Sequence, residues 1–255
     1  MSRLEDIISA KKLEVEQLKA RRAELEEKAH GPMEFRGFRA ALERDDGQLA
    51  IIAEVKKASP SAGLIAPDFD PVKRATEYEI AGAEAISVLT DQKFFQGSLF
   101  DLIAAREAVS VPLLRKDFII DEIQIVEAAG AGADAVLLIV AALNDADLLR
   151  LSQLAAGYHL DALVEVHSVI ELDRALAVGA QIIGINNRNL ATFEVDLAVT
   201  EQISELVPHE VSLVSESGFK SVADVQRAHR CGVDAILVGE ALMRGGITIQ
   251  ELRNL

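Results

Sequence analysis

Four phrases decide the fold: AGAEAISVL (81–89), AGADAVLLI (131–139), VGAQIIGIN (178–186) and CGVDAILVG (231–239). Each closes a helical stretch with a glycine, passes through an apolar residue and then a polar, mostly acidic one, and enters a β-branched apolar run. Gly82, Gly132, Gly179 and Gly232 stand where a helix ends in the left-handed conformation before the chain turns into a strand. A phrase repeated in this way marks a recurring αβ unit.

Outward from these phrases, apolar runs of strand length recur along the chain. They are LAIIAEV (49–55), EAISVLT (84–90), VPLLRK (111–116), DAVLLIV (134–140), DALVEV (161–166), QIIGIN (181–186), VSLVSE (211–216) and DAILVG (234–239). Between them lie helical stretches of roughly ten to fifteen residues. Eight strands alternating with eight helices leave a closed (β/α)8 barrel or an open doubly wound sheet. Near-equal spacing, the count of eight and the lack of GxGxxG after the first strand favour the (β/α)8 TIM barrel. No linker rich in Pro, Gly or Ser divides the chain, so 1–255 reads as a single barrel domain, of which 1–48 is a helical N-terminal extension.

In that extension Leu4, Ile7, Ile8, Lys11, Val15, Leu18, Arg22 and Leu25 follow helical three-four spacing. One helix is expected over the first ~30 residues. Ser2 and Glu5 have capping-box spacing, and Gly31-Pro32 supplies the stop. A second short helix is expected to hold Phe35, Phe38 and Leu42 before a turn at Asp45-Asp46-Gly47.

Composition narrows the function classes. The 255 residues carry 26 Lys+Arg against 41 Asp+Glu, a net charge of −15, with one Cys and no Trp. A chain of this length can bury a core without a disulfide or structural metal, and a lone Cys231 forms no internal bridge, which fits a reducing cytosol. The longest apolar run, AVLLIVAAL from Ala135, falls far short of the ~20 residues that span a bilayer. The charged N-terminus mixes acids with Lys, unlike a secretory signal or transit peptide. An acidic chain without a basic tract is a poor ligand for nucleic acid or anionic lipid. A cytoplasmic protein is expected, with no nucleic-acid or membrane partner. Monomer is the expected state, with a dimer as the alternative.

A barrel keeps its chemistry at the C-terminal ends of its strands. There the sequence places Glu54 and Lys56 on one face of the first strand, Lys116 two beyond Leu114, and Glu165 two beyond Leu163. Asn186 shares the face of Gly184, with Arg188 close behind, and the seventh strand delivers Glu216, then Ser217-Gly218. The eighth strand ends in Gly239. A single charge at a strand end is more often a loop ion pair or helix cap than a catalyst. Two Lys, three Glu, an Asn and an Arg meeting over one mouth are a different matter, because burying that many ions without use is costly. The glycines after the seventh and eighth strands, each followed by a helix, suit a phosphate held by backbone N–H groups. The five histidines lack metal-ligand spacing, and no metal or cofactor is called for. His167, the one near a strand end, reads as a loop residue, and Cys231, late on the helix before the eighth strand, reads as core.

At this point the motifs are recognisable. IAEVKKASPSAGLI (52–65), SVLTDQKFFQGS (87–98), LLRKDFIID (113–121), LVEVH (163–167), INNRNLATFEVDL (185–197), SESGF (215–219) and VGEALMR (238–244) resemble the indole-3-glycerol phosphate synthase family. LEDIISAKKLEV (4–15) resembles that family's opening helix, so the resemblance spans essentially the whole chain. It implies decarboxylating, dehydrating ring closure of 1-(2-carboxyphenylamino)-1-deoxyribulose 5-phosphate in tryptophan biosynthesis, without cofactor. By the same resemblance Lys116 is the general acid at the ketone, Glu165 the acidic catalytic residue, and Lys56 a lysine that holds substrate and assists proton transfer. Glu54 and Asn186 match orienting residues, and Glu216 a contact to the substrate hydroxyls. Ser59 and Arg188 match positions near the anionic groups. Ser217, Gly218 and Gly239 match the phosphate cradle, and Phe95 and Phe118 the aromatic walls, with core packing as the alternative for either.

The chain departs from the family at three places. Glu240 stands where some members have a Ser, leaving a backbone N–H and a carboxylate that must point away from phosphate. Ala62 stands where Lys is frequent, and Ile7 and Ile8 are the candidates for the bulky residues the extension lays over the site. Rival readings are the phosphoribosylanthranilate isomerase type and a Schiff-base aldolase using Lys116 or Lys56. The isomerase type works with a Cys and an Asp, and this chain has neither at a strand end in the expected place, since the first strand ends in Lys56 and Cys231 is helical. From another class, a non-catalytic binder of phosphorylated ligands would have no need of two lysines beside acids.

Overall fold

The computed structural model describes residues 3–31, 34–44, 47–60, 63–190 and 192–254. Eight parallel strands close into a barrel: β1 (Ala50–Val55), β2 (Ala85–Leu89), β3 (Leu113–Lys116), β4 (Ala135–Ile139), β5 (Asp161–Val166), β6 (Ile182–Asn186), β7 (Ser212–Glu216) and β8 (Ala235–Val238), with β1 pairing with both β2 and β8. The expected strands are therefore the observed ones, each shorter by at most two residues at either end. The barrel helices are α4 (Pro71–Ala81), α6 (Leu99–Ala108), α7 (Glu122–Gly130), α8 (Asp145–Gly157), α9 (Val169–Ala177), α10 (Ala198–Ser204), α11 (Val222–His229) and α13 (Ile249–Arg253), with short α5 (Gln92–Phe95) and α12 (Glu240–Met243) after β2 and β8. Several are thus shorter than expected. Among the described residues no helix is long and apolar enough to cross a membrane.

Alternation along each strand sorts the core into two shells. Ile51, Ala53, Ile86, Leu113, Val136 and Val164 face the helices. Ile52, Leu114, Leu137, Leu163, Ile182, Val214 and Leu237 fill the barrel interior. The inward set fixes which residues emerge at the top: Ile52, Leu114, Leu163, Ile182 and Val214 each lie two or four before a polar residue of the mouth, whereas Leu137 and Leu237 lead to Ile139 and Gly239. Phe38 and Leu42 of α3 (Phe38–Leu42) belong to the same inner cluster and plug the bottom. Phe35, expected in that helix, precedes it.

The repeated phrase has a structural meaning. The acid before an even strand accepts a backbone N–H of the odd strand before it. Glu84 takes Ile51 at 2.8 Å, Asp134 takes Leu113 at 2.8 Å, and Asp234 takes Leu213 at 2.7 Å. In the third phrase Gln181 replaces the acid, and its Oε1 instead accepts from Arg39 at 2.8 Å. The glycine of each phrase is left-handed, with φ between 73° and 100°.

The extension differs from the single expected helix. It forms α1 (Arg3–Lys19) and α2 (Arg22–Ala29), separated by a turn. A straight rod would carry Leu25 away from the barrel, whereas the turn brings Val15 and Leu25 onto the same patch of Ile123 and Val126 on α7. The expected cap at Ser2, the stop at Pro32 and the Asp45-Asp46 turn lie outside the described residues, as does Ala62. Cys231 stands just past the end of α11, half-buried, with its Sγ donating to the Arg227 carbonyl at 3.3 Å.

Candidate active site

The strand ends of the barrel surround a cavity of about 440 Å³. Its floor is Leu137, Ile139 and Leu237, and its polar wall includes Glu54, Lys56, Lys116, Glu165, Asn186, Arg188 and Glu216. This volume is in the range that encloses a small ligand.

Lys116 is the electrostatic centre. Its Nζ lies 3.2 Å from Glu216 Oε2 and 3.7 Å from Glu165 Oε2. Burial alone would favour the neutral amine, but Glu216, Glu165 and Glu54 outweigh it and hold the pKa above the ordinary lysine value. The group is thus an ammonium at neutral pH, a proton donor and not a nucleophile.

The carboxylates around it are unequal. Burial pushes Glu165 up, but Lys116, His167 and the Asn186 side chain more than reverse this and hold it well below the usual range. Burial likewise opposes ionisation of Glu54, which Lys56, Lys116 and Arg188 overcome. Its carboxylate is ion-paired with Lys56. Glu216 goes the other way: burial, with Glu165 and Glu54 nearby, outweighs Lys116 and pushes it up to about 7. Among the described residues neither of its carboxylate oxygens receives a well-aligned hydrogen bond, so a buried acid is left with capacity for a ligand. The pair of Glu165 ionised and Glu216 near neutrality separates two acids by environment alone.

Two glycines make this arrangement possible. A Cβ at Gly184 would lie 2.2 Å from Glu216 Oε1, and one at Gly239 2.2 Å from Glu54 Oε1. Gly239 thus has a role in seating Glu54 besides the anion site expected of it. The turn after β7 carries two successive left-handed residues, Ser217 (φ 65°) and Gly218 (φ 97°). Consecutive N–H groups in such a turn can form an anion-binding concavity. Ser217, Gly218, Gly239 and Glu240 all line the cavity.

The family model for indole-3-glycerol phosphate synthase matches residues 4–255, barrel and extension together. The chain belongs to that family. An indole-3-glycerol phosphate synthase of Desulfotalea psychrophila is 51% identical over 245 residues, covering 95% of this chain and 94% of the relative. That of Chlorobium phaeovibrioides is 48% identical over 257 residues, covering 100% of this chain and 98% of the relative. That of Azospirillum brasilense is 51% identical over 210 residues, covering 82% and 80%.

All thirteen positions that the indole-3-glycerol phosphate synthase motifs single out lie on this one cavity: Glu54, Lys56, Ser59, Phe95, Lys116, Phe118, Glu165, Asn186, Arg188, Glu216, Ser217, Gly218 and Gly239. Ser59 lies in a two-strand ribbon, Ala58–Ser59 paired with Gly63–Leu64. Phe95 and Phe118 face each other with ring centroids 6.1 Å apart. Glu240 is on the cavity lining, with Oε1 accepting from Arg244 Nε at 3.1 Å.

Of the two residues expected from the extension, Ile7 is on the lining and Ile8 is not, and Leu4 of α1, outside the expected set, joins Ile7 there. Phe193 is held from outside by Arg3, whose guanidinium lies 4.8 Å from the ring centroid. His167 lies in the loop after β5, as the sequence reading has it, and sits there between two acids. Its Nε2 is 3.3 Å from Glu165 Oε1 and its Nδ1 3.1 Å from Glu171 Oε2, and these acids overcome burial and raise its pKa to about 10. The alternation that places Glu165 inward gives no sign of this, because His167 lies beyond the strand end, where the pleat no longer governs direction.

Proposed function

We propose that the chain closes the indole ring: it converts 1-(2-carboxyphenylamino)-1-deoxyribulose 5-phosphate to indole-3-glycerol phosphate, CO₂ and water in tryptophan biosynthesis. The observation that carries the reading is the Lys116 ammonium between an ionised Glu165 and a near-neutral Glu216, in the mouth of a barrel of this family.

The ring carbon that bears the carboxylate must attack the sugar ketone. Lys116 donates to the ketone oxygen as it gains charge, which lowers the barrier to C–C bond formation. Attack breaks aromaticity, and departure of CO₂ leaves its bonding pair to the ring. Loss of the new hydroxyl as water, with a ring-derived proton, completes the indole. That last step needs an acid and a base, roles assigned to Lys116, Lys56 and Glu165 together. Glu54 and Asn186 orient the lysines and substrate, and Glu216 takes the hydroxyls of the sugar chain. Phe95 and Phe118 flank the ring, Ser59 and Arg188 receive the anionic groups, and the phosphate rests on the N–H groups of Ser217, Gly218 and Gly239. The pairing of Glu240 with Arg244 supports this placement, since it offsets an acid that would otherwise repel phosphate.

A Schiff-base aldolase needs an amine with a depressed pKa, and the acids around Lys116 push the other way. We read residues 1–255 as one domain, with 1–48 as the extension, working as a cytoplasmic monomer. Mixing the protein with the carboxyphenylamino sugar phosphate should give a rise in indole absorbance and fluorescence. Bound substrate without that signal refutes the reading.

A further inference from the structure

Lys11 occupies a core position of α1, between Ile7 and Val15, and is 2% exposed. A buried ammonium without counter-charge is expensive by several kcal/mol, and three carboxylates surround this one. Nζ lies 2.7 Å from Glu14 Oε2, 2.8 Å from Asp117 Oδ1 and 3.0 Å from Asp91 Oδ2. Glu14 is on the same helix and partly exposed. Asp91 and Asp117 are buried and follow β2 and β3, so one charge ties the extension to two adjacent loops of the mouth. Burial would neutralise the amine, but Asp117 and Asp91 outweigh it and keep it protonated.

Each of these two acids also holds an aromatic wall. Asp91 Oδ1 accepts the N–H groups of Phe94 at 2.7 Å and Phe95 at 3.2 Å, capping α5 so that Phe95 reaches the cavity. Asp117 Oδ1 accepts the N–H of Phe118 at 2.8 Å, and its Oδ2 accepts from Thr90 at 2.6 Å. Asp117 is also the residue directly after Lys116. Arg115, on the helix side of β3, is 3.4 Å from Asp117 Oδ2 and 2.7 Å from Glu127 Oε2, anchoring the far side of the cluster. The same α1 contributes Leu4 and Ile7 to the cavity wall.

We propose that Lys11 is a positioning residue for the aromatic end of the substrate: held between Asp91 and Asp117, it fixes Phe95 against Phe118 beneath Leu4 and Ile7. Among the described residues, no hydrogen bond or ion pair ties this cluster to the phosphate end, built from the loops after β7 and β8. The inference rests on the proposed reaction for its substrate, but its predicted asymmetry between the two ends of the cavity does not need turnover.

The test compares the full-length protein with Lys11→Met, Lys11→Arg and the charge-matched double variant Lys11→Met with Asp91→Asn. KM and kcat are measured for the carboxyphenylamino sugar phosphate, and equilibrium binding is measured for anthranilate and for inorganic phosphate. Loss of the tether should weaken anthranilate and raise KM about tenfold, while phosphate affinity stays within about twofold and kcat falls less than KM rises. Lys11→Arg should recover most of the loss, because it keeps the charge. The double variant should lose ring binding as Lys11→Met does, with one fewer buried acid to destabilise it. Equal weakening of anthranilate and phosphate overturns the proposal, as does unchanged anthranilate affinity in the folded double variant. If the unaltered protein makes no indole, the reaction is wrong, yet the two binding measurements still decide the role of Lys11.

Discussion

Replacing Glu216 by Gln should stabilise the protein at alkaline pH while impairing it as a catalyst. The carboxyl is 1% exposed, and burial together with Glu165 and Glu54 moves its pKa from the ordinary 4.5 up to about 7. An acid whose pKa is raised by folding binds its proton more tightly in the native state. Its contribution therefore costs nothing below pH ~4.5, erodes stability as pH rises towards ~7, and is constant above that. At about 1.4 kcal/mol per pKa unit, the ionised group burdens the folded state by about 3 kcal/mol at pH 9. Gln has the same shape and no charge to bury, so the burden disappears. At about 2–4 °C per kcal/mol for a chain of this size, melting temperature should rise by several degrees at pH 9 and by little at pH 5. Calorimetry at a series of pH values measures this directly, with kcat and KM taken on the same samples. A stability difference that does not change with pH, or a variant less stable at pH 9, would refute the reasoning, because Glu216 would then be a satisfied anion.

The remaining predictions concern neighbouring groups. Lys116→Met should lower kcat by about 10³ or more with only a modest change in substrate affinity, since its donor acts chiefly in the transition state; a collapse of affinity in a binding titration would make it a binding residue instead. His167→Gln removes the cation between Glu165 and Glu171. Because folding raises that imidazole to about 10, its stabilising effect is complete below ~6.5 and fades as pH climbs through ~10. Denaturant titrations should therefore show the largest gap between the two proteins at low pH, and the acidic limb of the kcat profile should move up with Glu165. Ser217→Phe should raise KM for phosphorylated substrate by crowding the turn after β7, and an unchanged KM would move the phosphate elsewhere. Gly184→Ala should disable turnover by displacing Glu216, whose Oε1 would meet the new methyl at 2.2 Å; crystallography or a kcat equal to the unaltered protein's would expose an error.

What could be read from the sequence is what a strand's own periodicity determines. Lys116 stands two beyond Leu114, Glu165 two beyond Leu163 and Glu216 two beyond Val214, and the inward-facing cluster contains all three apolar partners. Strand starts followed from the repeated phrase because its glycine has a local task, ending a helix in the left-handed conformation. Contacts made across the chain left no such trace. Lys11 fell on the apolar stripe of its helix without indicating that Asp91 and Asp117 await it, some 80 and 106 residues later by chain position. His167 looked like a loop residue, and only the folded chain shows it between Glu165 and Glu171. The turn between α1 and α2 escaped periodicity for a similar reason: its cause is the patch on α7 and not the sequence around Lys19. The chemistry was legible because the family's motifs coincide with strand ends, whereas the parts that orient them act at a distance.

The acids at the barrel's lower rim divide labour in the molecule. Because Glu84, Asp134 and Asp234 each grip a backbone N–H of the strand before them, a strand entering one residue out of step would forfeit its grip as well as its inward side chains. Alignment is thus proofread at the floor, far from the substrate. The loops of the upper rim can change length or residue type while the frame below keeps its alignment. A protein built this way can be retuned for a different ligand at its top without relearning how to fold.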